Sequence, residues 1–404
     1  MDRLRGVFSR RSKDSGSRGN SLDSGLASSM ATTDTQQTAG EASSSLEFVD
    51  CPFFGHRCYE PVRELFRTTL GQVYLARNKE KGGKGSQVVI KMIERGPSVS
   101  KHVESELLIH RKCTGHTNIV QLIEVFLTPR FLAIVLEYAP GGDLLDYVTS
   151  KDHLSEDEAR WFFQQLAVGL AYFHSIGVDN RELNLNNKLL TGDSTRPLLK
   201  INDFTYSKSE QINSDPNSAL GSLPYTAPEV LSNTMRHGHQ ADVWSLGVAL
   251  YKMCVGLYPF ERVGDATDTR TTVQNVLGRI ARVEYEIPSN MSPPLRDLLG
   301  KMLVKDPGQR ITMPGIMVHP WFQRNMPEGL LELNSRVDPE QARQSEAEVV
   351  AVVREAQMST RNMDVDNIDE MADDILAEEE ADDLLEELSL TRGGEFGPPG
   401  PMQL

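Results

Sequence analysis

The sequence lacks any apolar run approaching the ~20 residues that cross a bilayer as a helix, so a membrane-spanning protein is not expected. Cysteine is scarce. The four present, Cys51, Cys58, Cys113 and Cys254, show no zinc-ligand spacing and suit a reducing compartment; a Cys51–Cys58 pair is conceivable, and buried or idle thiols are the reading taken. Positive charge is also in deficit: 42 Lys and Arg against 57 Asp and Glu leave a formal charge of −15, which argues against nonspecific nucleic-acid binding. Residues 364–389 contain no Lys, Arg or His at all.

What is present divides by composition. With 404 residues, 39% of them hydrophobic and 25% charged, the chain is too long for one ordinary domain and reads as a large core, or two lobes, with tails. Residues 1–46 are rich in Ser, Gly and Thr, carry Arg3, Arg5, Arg10, Arg11, Lys13 and Arg18, and have no periodic apolar face, so they are read as a disordered tail. Asp2, Asp14 and Asp23 weigh against a transit peptide. Ser12, behind Arg10-Arg11, is a candidate acceptor for a basic-directed kinase.

From residue 59 to 322 the hydrophobics become regular. Val73–Ala76, Gln87–Lys91 and Leu132–Leu136 read as short strands bounded by turn residues. Ser155-Glu156-Asp157-Glu158 then reads as a capping-box start to a helix that buries Ala159, Phe162, Phe163, Leu166, Leu170 and Phe173. Strands first and helices afterwards predict an α+β fold of two unequal lobes with a ligand cleft between them.

Several short motifs follow one another in a fixed order. They are Val89-Ile90-Lys91, then Glu106, Asp203-Phe204-Thr205, Ala227-Pro228-Glu229, Ala241 to Gly247, and Arg310. Any one is weak, but their order and spacing resemble a serine/threonine protein kinase. Ile93-Glu94-Arg95-Gly96, Leu127-Thr128-Pro129, Tyr206 to Ser209 and His319-Pro320-Trp321-Phe322 are similar to the second subclass of sucrose-non-fermenting-related kinases of plants and green algae, whose members are stress-responsive.

The resemblance implies a two-lobed kinase fold, with a small β-rich lobe at about 59–138 and a helical lobe at about 143–322. Residues 343–358 resemble the family's regulatory helix, and 364–390 its acidic tail. It implies ATP and Mg²⁺ as cofactors, bound weakly. Lys91, Glu106, Gly71, Val73, Glu137 and Ala139 would hold the nucleotide, and Asn187 and Asp203 the metal. Ser218 and Ser222 stand at regulatory positions of the activation segment, with Arg181 a partner for a phosphate on Ser218. Glu229, Asp242 and Arg310 are structural. The acidic tail is read either as a solvating or intramolecular segment or as a dock for a two-C-type phosphatase or calcium-signalling adaptor. An upstream kinase is another expected partner. The remaining expectations are a monomer in cytoplasm or nucleus that binds no nucleic acid.

The departures from the family pattern concentrate at the chemistry. Asn180-Arg181-Glu182-Leu183-Asn184 stands where the family has H-R-D-x-K, so Glu182 occupies the base position and Asn184 the lysine position. A carboxylate displaced by one methylene can cost ~10²-fold in rate. Loss of one preorganised donor to the transferring group costs roughly 3–4 kcal/mol. Asn180 replaces a histidine and Thr205 a hinge glycine. The three-glycine phosphate loop is reduced to Phe66-Arg67-Thr68-Thr69-Leu70-Gly71, in which Phe66 either fills the space over the adenine or stiffens its strand. Arg67 is a candidate phosphate contact. Two functions are therefore weighed: a pseudokinase scaffold, and a slow kinase with Glu182 as base.

Overall fold

The computed structural model describes residues 51–68, 71–80, 87–179, 183–192, 195–202, 223–232, 238–262, 269–338 and 342–358. The first lobe is built on five strands: β1 (Tyr59–Thr68), β2 (Gly71–Asn78), β3 (Gln87–Glu94), β4 (Leu122–Leu127) and β5 (Phe131–Glu137). They pair antiparallel in the order β1-β2-β3-β5-β4.

Strand alternation sends side chains to two faces, and here both faces are buried. Val73, Leu75, Val89, Ile93, Ile134 and Leu136 share one face. Tyr74, Ala76, Val88, Ile90, Met92, Ala133 and Val135 share the other, which the preceding segment covers with Cys51 and Phe53. Phe53 packs edge-on to Tyr74 at 5.4 Å between ring centroids. Helix α1 (Lys101–Lys112) lies on the first face and buries Val103 and Leu107 there.

The second lobe begins with α2 (Leu144–Ser150) and α3 (Glu156–Ser175), followed by a two-stranded ribbon of β6 (Lys188–Leu190) and β7 (Leu199–Ile201). Then come α4 (Pro228–Leu231), α5 (His239–Val255), α6 (Thr269–Arg282), α7 (Pro293–Met302), α8 (Met313–Met317) and α9 (Pro320–Gln323). All six apolar residues expected to face inward on α3 are buried, and they meet Trp244, Leu246 and Leu250 of α5 in one core. Helix α5 is apolar on nearly every side because neighbours surround it. It stops at Gly256, whose φ of +80° and close approach to the Asp152 carbonyl leave no room for a Cβ.

The start of α3 differs from the sequence expectation. Ser155 caps it by accepting from the Glu158 N–H at 3.3 Å, but the Glu158 carboxylate does not return to Ser155. It accepts instead from Tyr147 and Lys151, each at 2.6 Å, because α2 presents a hydroxyl and an ammonium beside it. A complete capping box does occur at Ser345 and Glu348, opening α10 (Glu346–Gln357).

Helix α10 packs on α1, β4 and β5, burying Val349, Val353 and Ala356 against the first lobe. The Gln344 amide accepts from the Val125 N–H at 2.7 Å and donates to the Val125 carbonyl at 2.9 Å, satisfying backbone groups of the edge strand β4. The Gln344 carbonyl accepts from Arg111 Nε at 2.8 Å. All four cysteines are free thiols. Among the described residues no helix is long and apolar enough to cross a membrane.

Candidate functional site

The lobes are joined by backbone. Val120 donates to the Ile201 carbonyl at 3.0 Å, Gly141 to Leu190 at 2.8 Å, and Leu190 to Gly142 at 2.9 Å. These bonds place β6 and β7 beneath the sheet face that carries Lys91, so that face becomes the roof of a cleft.

Lys91 is central in β3, paired with Val73 on one side and Ile134 on the other. Burial pushes its pKa down to about 8, and the Glu106 carboxylate opposes that shift. Glu106 projects from α1, where its Oε1 lies 3.2 Å from His102 Nε2 one turn earlier. Sheet register and helix packing thus bring together the lysine and acid that were expected to cooperate. Val73 lies in the same row, 3% exposed.

Gly71 has a packing role of its own. A Cβ there would lie 1.9 Å from the Met92 carbonyl oxygen, so β2 and β3 approach too closely for any other residue. Glu137 directs its carboxylate away from the cleft: Oε1 is 2.9 Å from Lys200 Nζ, and Oε2 accepts from the Gln121 N–H at 3.1 Å. Its backbone N–H is engaged as well, donating to the Gln121 carbonyl at 3.0 Å. Ala139 is 2% exposed within the apolar cluster of the first lobe.

On the opposite wall, Asn184 begins a single 3₁₀ turn, Leu185–Asn187. Its Oδ1 accepts from the Asn187 N–H at 3.1 Å, the usual work of an N-cap asparagine. The Asn187 carbonyl accepts from Asn202 at 2.9 Å, which fixes that turn to the end of β7. Asn180, Arg181, Glu182, Asp203, Thr205, Ser218 and Ser222 lie outside the described residues, as do the two tails.

The structural residues are well defined. Arg310 donates to Glu229 through Nη1 at 2.8 Å and Nη2 at 3.0 Å, both side chains being buried, and its guanidinium lies over Trp244. Asp242 accepts from His174 Nε2 at 2.8 Å. His174 stacks on His239 at 3.9 Å, and His239 lies 3.4 Å from Asp179.

Sequence reasoning missed three groups near the cleft. Lys200, which ties β7 to Glu137, reads in sequence as an ordinary alternating polar position. Lys188, immediately after Asn187, is fully buried; it shares a strand face with Leu190, and nothing in its sequence setting distinguishes it from a solvated strand lysine. Asp143 is 3% exposed and caps α2 by accepting from the Asp146 N–H at 2.8 Å. Its position before an apolar run is a capping signal that was there to be read.

A fold with a five-stranded sheet, a cleft lysine held near a helix carboxylate, and a buried Glu–Arg pair in a helical lobe defines a class. The protein kinase domain family matches residues 59–322, and the chain belongs to it. Its relatives include serine/threonine-protein kinase SAPK9 of Oryza sativa subsp. japonica, 45% identical over 74% of this chain and 82% of the relative. Serine/threonine-protein kinase SRK2D of Arabidopsis thaliana is 43% identical over 73% and 82%. Serine/threonine-protein kinase SRK2A of Physcomitrium patens is 42% identical over 78% and 91%. The likeness is therefore to kinases of the second sucrose-non-fermenting-related subclass, as the motifs implied.

Members of this family generally use ATP and Mg²⁺, and the site offers that pair a polar half and an apolar half. The polar half carries Lys91, Glu106 and Asn187. The apolar half is formed by Val89, Leu136, Ala139 and Leu189, each under a tenth exposed.

Proposed function

We propose that the chain is a signalling protein that keeps the kinase fold and uses it mainly as a scaffold, binding Mg-nucleotide weakly at most. The observation that carries this reading is Asn184. Where the family pattern has an ammonium facing the transferring phosphoryl, this chain has a neutral amide whose oxygen is engaged in capping a turn. Glu182 at the base position and the loss of two loop glycines act in the same direction.

The family favours protein partners, and the acidic segment at 364–390 suits a basic surface on one, whether a two-C-type phosphatase, a calcium-signalling adaptor or an upstream kinase. A phosphate on Ser218 facing Arg181 would give such a scaffold a switch. Cytoplasm or nucleus is the address this role suits.

A second reading, a slow serine/threonine kinase using Glu182, draws support from the placement of Lys91 and Glu106 and from relatives named as kinases. Labelled-phosphate transfer from Mg-ATP to serine/threonine peptides, wild type beside Asp203→Ala, separates the two. No transfer above the Asp203→Ala background supports the scaffold. Wild-type transfer abolished by Asp203→Ala establishes the slow kinase.

A further inference from the structure

We propose that Phe66 occupies the place of the purine, so that the chain closes its own nucleotide cleft with a side chain. The inference rests on reading the cleft as a kinase nucleotide site, and it gives the weak binding a physical cause.

Register supplies the first argument. Phe66 pairs with Val73, Val73 with Lys91, and Lys91 with Ile134. Directly opposed residues of an antiparallel sheet project to the same face. Phe66 therefore points to the cleft face, in one row with the lysine. A bulge between Glu64 and Phe66 strengthens the placement, because Leu65 is the extra residue of β1 and both consecutive side chains join the same apolar cluster.

Packing supplies the second. That cluster runs from Leu65, Val73 and Val89 in the sheet through Leu136 and Ala139 to Leu189 in β6 of the other lobe, with Phe66 packed against it. Leu65 is 9% exposed and Leu189 7%. On this proposal the Phe66 ring, partly buried against this cluster, supplies the apolar contact that a bound base would otherwise give, without its polar edge. Val89 narrows the same space, since it stands where the family pattern carries alanine. Leu189 of β6 belongs to the first lobe's cluster, so apolar contact already crosses between the lobes.

Adenosine, which lacks phosphates and metal, is the probe that isolates this half of the site. It is titrated by calorimetry into the full chain, wild type beside Phe66→Ala and Phe66→Gly. The proposal predicts no saturation of the wild type below about 1 mM and a tenfold or greater gain in affinity in the variants, a tenfold change being about 1.4 kcal/mol. Wild-type saturation at micromolar adenosine overturns it, as do folded variants that bind no better than wild type. Should Phe66→Gly not fold, the wild-type titration still decides, and Phe66→Leu offers a milder opening. A wild type that binds adenosine but transfers no phosphate removes the plug and leaves the scaffold standing. A variant that binds adenosine and still transfers nothing upholds both.

Discussion

Asp143 shows how much a single side chain carries here. It caps α2, yet burial pushes its pKa up to about 6, with Asp146 adding to the rise, so the folded protein holds a proton there more tightly than the unfolded chain does. Between pH 4 and pH 6 the native state binds more protons at this site, and its contribution to stability falls as pH rises through that window. Asparagine caps as well as aspartate and carries no charge to bury. Asp143→Asn is therefore expected to stabilise the protein by roughly 1–3 kcal/mol at pH 7 and by progressively less toward pH 4, which melting temperatures across that range will test. Motif residues such as Lys91, Glu106 and Arg310 were legible in the sequence because their chemistry demands fixed residue types in a fixed order. Lys188, Lys200 and Asp143 were not singled out, because burial of a charged side chain depends on which strands and helices surround it, and alternation alone marks a lysine as solvated.

At the scale of elements, the strands β2, β3 and β5 and the inward face of α3 followed directly from apolar periodicity. The bulge in β1 did not, since an extra strand residue leaves no signature in Val62 to Arg67, and it is this bulge that turns Phe66 toward the cleft. The Glu158 carboxylate likewise left its expected capping-box role for Tyr147 and Lys151, partners that only the packing of α2 against α3 supplies. Helix α10 offers the clearest test of coupling between elements. Gln344→Ala leaves the Val125 N–H and carbonyl without their side-chain partner, at a cost of roughly 1–3 kcal/mol. Hydrogen exchange should quicken in β4, α10 and the adjoining face of α1 while α3 and α5 stay protected. Uniform loss of protection would show that α10 is no separable unit.

For the whole molecule, the fold and the chemistry are held by different residues. The Arg310–Glu229 pair is buried and bidentate, and removing one partner strands the other's charge. Arg310→Met is expected to lower stability by about 3–5 kcal/mol, read as an early denaturant midpoint, and Glu182→Asp or Asn184→Lys by much less. The chain thus keeps what folds a kinase and departs where a kinase acts. The most direct test of that claim is the rate of phosphate transfer by the combined Phe66→Gly, Glu182→Asp and Asn184→Lys variant, measured beside wild type under single-turnover conditions with Mg-ATP and a serine/threonine peptide. Wild type at the Asp203→Ala background and a variant at least ~10²-fold above it is the result predicted. Wild-type transfer that the three substitutions do not raise would contradict it.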